Sequence, residues 1–431
     1  MLVSVSFPTT LNVFTADTHD KDMISGKAEC GLKYAVKRSN SGVGYCALSI
    51  RCGSRDEVGW HSGIAHFTEH TLFKGTARRS AAVINGYIDR LGGELNAFTT
   101  KEEIVFHSTV LKEDLPKAMS LLLELATSPT FPENEIQTEK GVVIDEIHSY
   151  KDSPSEDIYD KFEEMLFSGH PLSGPILGTV ASVKKITRDE LLKFVKEKFK
   201  PSAMAFTIVA DIDEKKMEKA ILKLAEKYFP EVEETKEEEV QHKLPEAVPF
   251  EKIVNKRNHQ ANCVIGGLAP SLYQEKERLA TVLLCNILGG PATNSILNSI
   301  LREKHGWVYG VECSYSQYAE TGMVAISLGC DKANIDKCLN IIEKEIAKLQ
   351  ENELSKRRLN AAKKQLLGQL AISGDNGETQ CLSMGKGLLA YGTITGDKKT
   401  KELIEEITAE KVREMAQLIF DKQKLSRLIY I

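Results

Sequence analysis

Two histidines and a glutamate fall within five residues of the stretch GIAHFTEHTLFKGT: His66, Glu69 and His70. Positions i and i+4 of an α-helix lie about 40° apart around the axis, so both imidazoles can reach one tetrahedral cation without distorting the backbone. Glu69, at i+3 from His66, stands on the same side, beside the cation without having to bind it. The order is the HExxH zinc helix run backwards, HxxEH, a recognised inverted variant. With 10 histidines and 61 acidic residues among 431, chance predicts roughly 0.03 matches to H-x-x-(D/E)-H. The plain alternative is three polar residues on a solvated helix face.

Catalytic zinc usually takes three protein ligands and keeps a fourth position for water, so a third ligand must come from elsewhere. The stretch ENEIQTEKGVVIDEIHSYKDSP (133–154) reads as a second helix in which Glu139 and Glu146, two turns apart, share a face. Val142 and Val143 lie between them, so that face can be substantially buried. Two carboxylates facing an apolar core are costly unless neutralised. A Zn²⁺ would neutralise them, one carboxylate ligating and the other orienting a ligand histidine. Asp145 points about 100° away and His148 about 200°, which makes both poorer candidates. Taken alone, this helix would read as an acidic solvated face. Two neutral imidazoles and one carboxylate leave such a zinc with net positive charge, lowering the pKa of its water towards ~7. Glu69 is then placed to accept the water's proton and pass it to a leaving amine.

The elements that must position these groups repeat along the chain. Each half opens with short strand-like segments, LKYAVKR and GYCALSIRC in the first and NCVIGGLAP in the second. Two amphipathic helices follow, 61–76 and 80–91, then KERLATVLLCNILGG and TNSILNSILREKHG. A strand pair comes next, ELNAFTT with EEIVFHSTVL, answered by YGVECSYSQYA with GMVAISLGC. Each half closes with a helix and a strand, ITRDELLKFVKEKF then MAFTIVAD, and ITAEKVREMAQLIF then SRLIYI. Thr187 and Thr408 are natural N-caps, Glu190 completing a capping box in the first. This order predicts an α+β fold of two duplicated, similar lobes, each a mixed or antiparallel sheet packed by helices. The boundaries are 1–230, with the zinc site, an acidic proline-bearing linker at 231–252, and 253–431.

Composition narrows the function classes. The apolar fraction of 42% and charged fraction of 27% are ordinary for a globular protein. A net charge of −5 supplies no electrostatic reason to expect nucleic acid or an anionic membrane as partner. No run approaches the ~20 apolar residues that span a bilayer, and the N-terminus lacks a basic region before its short apolar run, so no secretory signal is expected. Nine scattered cysteines without a CxxC pair suit reduced thiols in a cytoplasmic protein. Any metal must therefore be held by histidine and carboxylate.

The chain resembles the pitrilysin-type zinc peptidases, in their processing-peptidase-like branch of two-lobed chains of this length. The likeness rests on GSRDEVGWHSGIAHFTEHTLFKGT, EKGVVIDEIHSYKDSP, GHPLSGPILGTVASVKKITRDEL and NILGGPATNSILNSILREKHGWVYGVECSY. It leaves out only the first residues and the linker. It implies one Zn²⁺ per chain held by His66, His70 and Glu146, with Glu69 as general base and Glu139 as a supporting carboxylate. It also implies that Asn96 and Ala97, in GGELNAFTTKEE, form a strand edge that pairs with substrate backbone. Arg302 and Tyr309, in LREKHGWVY, would contact the peptide or the transition-state oxygen. Their spacing alone would not single them out from a structural arginine and a strand tyrosine. Two departures stand out: Pro291 and Asn294 in a loop that is smoother in the family, and His107 where a tyrosine is usual.

The expected function is a zinc endopeptidase acting on unfolded oligopeptides in a dimeric chamber. Since this chain carries both the zinc set and the Arg–Tyr pair, a homodimer needs no second gene product, although a heterodimer with a related subunit is another arrangement. One alternative is a non-catalytic scaffold or binding subunit of a processing-peptidase-like complex. Another is a zinc enzyme acting on small molecules. The basic helix LSKRRLNAAKKQLLGQL reads as solvated surface.

Overall fold

The computed structural model describes residues 23–230, 243–256 and 259–431. The first sheet holds six strands: β1 (Met23–Lys27), β2 (Lys33–Arg38), β3 (Val43–Ile50), β4 (Glu94–Thr99), β5 (Ile104–Leu111) and β6 (Met204–Ala210). Their order is β1-β2-β6-β3-β5-β4. Between them run α1 (Ile64–Leu72), α2 (Ala81–Asp89), α3 (Leu115–Thr127), α4 (Glu133–Asp152), α5 (Pro154–Leu166), α6 (Val180–Lys185) and α7 (Arg188–Lys198), and after them α8 (Glu214–Tyr228).

The second sheet holds β7 (Glu251–Val254), β8 (Gln260–Ala269), β9 (Val308–Gln317), β10 (Gly322–Asp331) and β11 (Ser426–Tyr430), in the order β7-β11-β8-β10-β9. Its helices are α9 (Glu275–Gly289), a π-helical stretch at Asn298–Lys304, α10 (Ile335–Glu351), α11 (Lys356–Gly374), α12 (Gly377–Tyr391), α13 (Asp397–Glu406) and α14 (Ala409–Ile419). Without β1 the two sheets match strand for strand, pairing sense included: β2 parallel to β6 answers β7 parallel to β11, and the other pairs of each series are antiparallel. The fold is thus α+β and two-lobed, as the repeated order of elements requires.

Local chemistry differs from expectation in three places. Thr187 does cap α7 by accepting from Glu190 N, but the Glu190 carboxylate turns instead to His61, accepting from its backbone N–H at 3.2 Å and lying 2.9 Å from Nδ1. The helix expected over 293–306 is largely π-helical, a winding that proteins use at functional sites. Of the expected linker, 231–242 lies outside the described residues, and β7 begins at its far end.

Each half also sends one helix onto the other half's sheet. On α5, Ile158, Phe162 and Leu166 pack with Val264, Met323, Ala325 and Leu428 of the second sheet. On α12, Cys381, Met384, Leu388 and Leu389 cover Ala35, Ala47, Val105, Ala205 and Val209 of the first. The face of α5 that leaves the first lobe starts directly after α4, the helix expected to deliver the third ligand. All nine cysteines are unpaired and buried, and among the described residues no helix is long and apolar enough to cross a membrane.

Candidate metal centre

Helix α1 starts at Gly63, which sits in the left-handed region at φ 88°. A Cβ there would meet the Leu177 carbonyl oxygen at 2.6 Å, and one at Gly178 (φ 71°) would meet the Ser62 carbonyl oxygen at 2.3 Å. Two backbones cross at this point, and only glycine permits it. The Glu57 carboxylate accepts from Gly63 N at 2.8 Å and Ala65 N at 2.9 Å, satisfying donors at the helix start that lack an internal partner. Ile64, Ala65, Phe67 and Leu72 are buried on the core side. The histidine face of α1 is nevertheless not solvated, because α4 lies against it. His66 and Glu69 are only 4% and 5% exposed.

The third ligand candidate comes from α4. Glu146 Oε2 lies 3.7 Å from His66 Nε2 and 3.6 Å from His70 Nε2. These separations are too long for hydrogen bonds. Two ligands at about 2.1 Å in a tetrahedron sit about 3.4 Å apart, so Glu146 Oε2 stands at a ligand-like distance from both imidazole nitrogens. Among the described residues, His66, His70 and Glu146 form the group whose donor atoms all approach within 4.8 Å of one another. Glu146 Oε1 is buried without a hydrogen-bond partner, an arrangement that a divalent cation would compensate. The residues present fit zinc.

Neighbouring groups set the protonation of this centre. Burial, and then the charge of His70, holds His66 well below its ordinary pKa, in the neutral form that binds metal. Burial also opposes the His70 cation, but the hydrogen bond to Glu139 and the charges of Glu69 and Glu146 outweigh it and raise its pKa. His70 Nδ1 lies 2.8 Å from Glu139 Oε1, and Lys74 Nζ lies 2.6 Å from Glu139 Oε2. Donation from Nδ1–H to the carboxylate leaves the Nε2 lone pair of His70 for a metal. Burial pushes Glu69 up to about 7, against His70 and the hydrogen bond from Thr99, while the same effect raises Glu146. Glu139 is pulled down by His70 and Lys74 despite its burial. Asp145 and His148 are exposed on the far side of α4; Val143 is buried but Val142 is exposed.

The structure brings His66, His70, Glu146, Glu69 and Glu139 together, and places Asn96 and Ala97 on β4, which among the described residues is an edge strand paired only with β5. Arg302 and Tyr309 stand elsewhere, in the π-helical stretch and on β9, the edge of the second sheet. Tyr309 is 60% exposed and donates its hydroxyl to Asp331 Oδ1 at 2.7 Å. Among the described residues neither side chain bonds to the histidine cluster. Two partners in the site went unread in the sequence: Thr99, which donates to Glu69, and Lys74. Both carried a signal, since Lys74 follows His70 by one turn and Thr99 shares a strand face with Ala97.

The chain matches two family models, "Insulinase (Peptidase family M16)" over residues 34–180 and "Peptidase M16 inactive domain" over residues 185–366. It is also 30% identical over 384 residues to the uncharacterized zinc protease YmxG of Bacillus subtilis, covering 88% of this chain and 91% of that one. The chain belongs to peptidase family M16. An uncharacterized zinc protease of Streptomyces coelicolor is 28% identical, with 86% of this chain and 81% of the relative covered. The M16 fold recurs in the crystal structure of a protease from Helicobacter pylori, at TM-score 0.86 and 20% identity, over 95% of this chain and 99% of that one. It recurs again in a putative M16-like peptidase from Alicyclobacillus acidocaldarius, at TM-score 0.81 and 19% identity, over 95% and 98%. In this M16 chain the five clustered residues all fall within the first matched segment, and Arg302 and Tyr309 within the second.

Proposed function

We propose that the chain is a zinc-dependent endopeptidase that hydrolyses unfolded oligopeptides, with His66, His70 and Glu146 holding the metal and Glu69 acting as general base. The observation that carries this reading is the ligand-like distance of Glu146 Oε2 from both imidazole nitrogens, with a buried, unliganded carboxylate, Glu69, beside them. When bound there, zinc would act as a Lewis acid on water and on the scissile carbonyl. Glu69 takes a proton from the attacking water, whose oxygen adds to the carbonyl carbon. As the C–N bond breaks, Glu69 returns that proton to the amine nitrogen. Glu139 keeps His70 in the ligating tautomer. The open edge of β4 at Asn96 and Ala97 offers N–H and C=O groups to an extended peptide whatever its side chains. Arg302 and Tyr309 would supply donors to the developing oxyanion once their lobe and the substrate meet.

Two further elements belong to this reading. The chain forms a homodimer whose four lobes enclose the sites, in the manner of the processing-peptidase-like branch, and its buried reduced thiols suit a cytoplasmic setting. Glu69→Gln should keep stoichiometric zinc yet abolish peptide cleavage; undiminished turnover would refute the base assignment. Light scattering should return twice the chain mass, and a fully active monomer would overturn the chamber. A non-catalytic binding subunit is the alternative, favoured by the match of residues 185–366 to a domain described as inactive. That segment holds none of the clustered residues, and absence of stoichiometric zinc from purified protein is the result that would favour the alternative.

A further inference from the structure

The general base and the substrate edge are joined by one hydrogen bond. Thr99 Oγ1 donates to Glu69 Oε2 at 2.6 Å. Thr99 is 5% exposed and ends β4. The other oxygen of Glu69 accepts no hydrogen bond from the described residues. The strand register explains why this side chain and not a neighbour reaches α1. Thr99 pairs with Ile104 and Ala97 with Phe106, both in the core beneath the helices, so Thr99 and Ala97 point to the α1 side. Asn96 pairs with His107 and Phe98 with Val105, whose face is covered by α12. The adjacent Thr100 has a separate task, its hydroxyl accepting from Glu102 N and Glu103 N in the turn to β5.

We infer that Thr99 is a positioning residue: it fixes the rotamer of Glu69, so that one carboxylate oxygen is tethered to the substrate-bearing strand and the other is left to receive the proton. The inference rests on the reading of Glu69 as base. A glutamate has three side-chain torsions, and a charge-assisted O–H···O⁻ bond to a buried, β-branched donor removes most of their freedom. Because the donor belongs to β4, the aim of the base is set by the strand on which a peptide would lie, and a displacement of that edge is felt at the carboxylate. Geometry of this kind matters to a proton transfer far more than to peptide affinity.

Thr99→Val keeps the shape and deletes the donor, and Thr99→Ser keeps the donor and loses the branch. In the zinc-loaded protein, Thr99→Val should lower kcat about 10- to 100-fold with KM within about twofold. Thr99→Ser should recover most of the loss. In a Glu69→Gln background, which binds peptide without cleaving it, adding Thr99→Val should leave the peptide Kd unchanged. Wild-type kcat in Thr99→Val, a rise in KM alone, or a weakened Kd in that background would overturn the inference and assign Thr99 to the strand edge. A melting-temperature cycle of the metal-free wild type, Thr99→Val, Glu69→Met (which removes the acceptor at nearly the same size) and the double variant uses no activity. The two single shifts should sum to more than the double shift by about 2 °C or more, and strict additivity would sink the coupling. Should the wild type cleave no peptide at all, the endopeptidase reading falls while this cycle still decides the Thr99–Glu69 link. Thr99→Ala replaces Thr99→Val throughout if the latter does not fold.

Discussion

At the residue scale, the centre is a compromise between burial and charge. Glu69, Glu139 and Glu146 crowd around two histidines, and Lys74 is the cation that offsets one of them. His66 is neutral because burial makes its cation unfavourable, while the Nδ1 proton of His70 is held by Glu139. Removing a partner that orients a ligand histidine typically costs about 10- to 100-fold in metal affinity. Glu139→Gln should therefore weaken zinc binding by about that factor in a competition with a chelator, with the fold intact. Unchanged zinc affinity would mean that the His70 tautomer is set by something other than Glu139.

At the element scale, α1 is short and depends on how its start is held. Gly63 and Gly178 touch backbone to backbone, and Glu57 ties down two N–H groups at the same end. Gly63→Ala forces a Cβ into the Leu177 carbonyl in a backbone conformation that alanine avoids. It should cost about 2–4 kcal/mol in urea unfolding and should loosen zinc with it, because His66 lies three residues on. Glu57 also carries a pH signature. Burial pushes its carboxyl up to about 8 from an ordinary 4.5, against the two N–H bonds and Lys101. The folded chain thus holds this proton more tightly than the unfolded one. Its contribution is fully present below the ordinary value and is lost as pH rises through about 8. The melting temperature of the wild type should fall, relative to that of Glu57→Gln, between about pH 5 and about pH 8.

At the scale of the whole molecule, the two lobes share a sheet plan but not the histidine cluster. Helix α9 holds the place in the second lobe that α1 holds in the first, yet it has no histidine and is buried almost throughout. The lobes are interlocked by the exchanged helices α5 and α12 and by a buried ionic knot. Arg55, 4% exposed, donates to Glu102 of its own lobe and to Glu320 in the β9–β10 turn, at 2.9 Å for Nη1 to Oε2. His170 Nε2 lies 3.1 Å from Glu320 as well. In the same turn Tyr318 donates to Glu163 of α5 at 2.6 Å. Arg55→Met would remove the buried cation that Glu102 and Glu320 share and should cost about 3–5 kcal/mol, read from denaturant unfolding. Separately expressed halves divided at 231–242 should each expose an apolar sheet face, bind a hydrophobic dye, and elute together when mixed.

The HxxEH stretch, the paired acids of α4 and the repeated order of elements could be read from the chain, because helical and strand periodicities place side chains on faces before any packing occurs. Helical spacing narrowed the third-ligand candidate to two carboxylates without deciding, since Glu139 and Glu146 share one helix face, and only the family resemblance pointed to Glu146. Physically the two differ only through the tertiary contact of α4 with α1, which sets Glu146 Oε2 near both Nε2 atoms and Glu139 at Nδ1 of His70. Thr99 and the Glu190 carboxylate found their partners, Glu69 and His61, across distances in sequence that no local rule spans. The exchange of α5 and α12 likewise escaped, because an amphipathic face announces that it will be buried but not against which sheet.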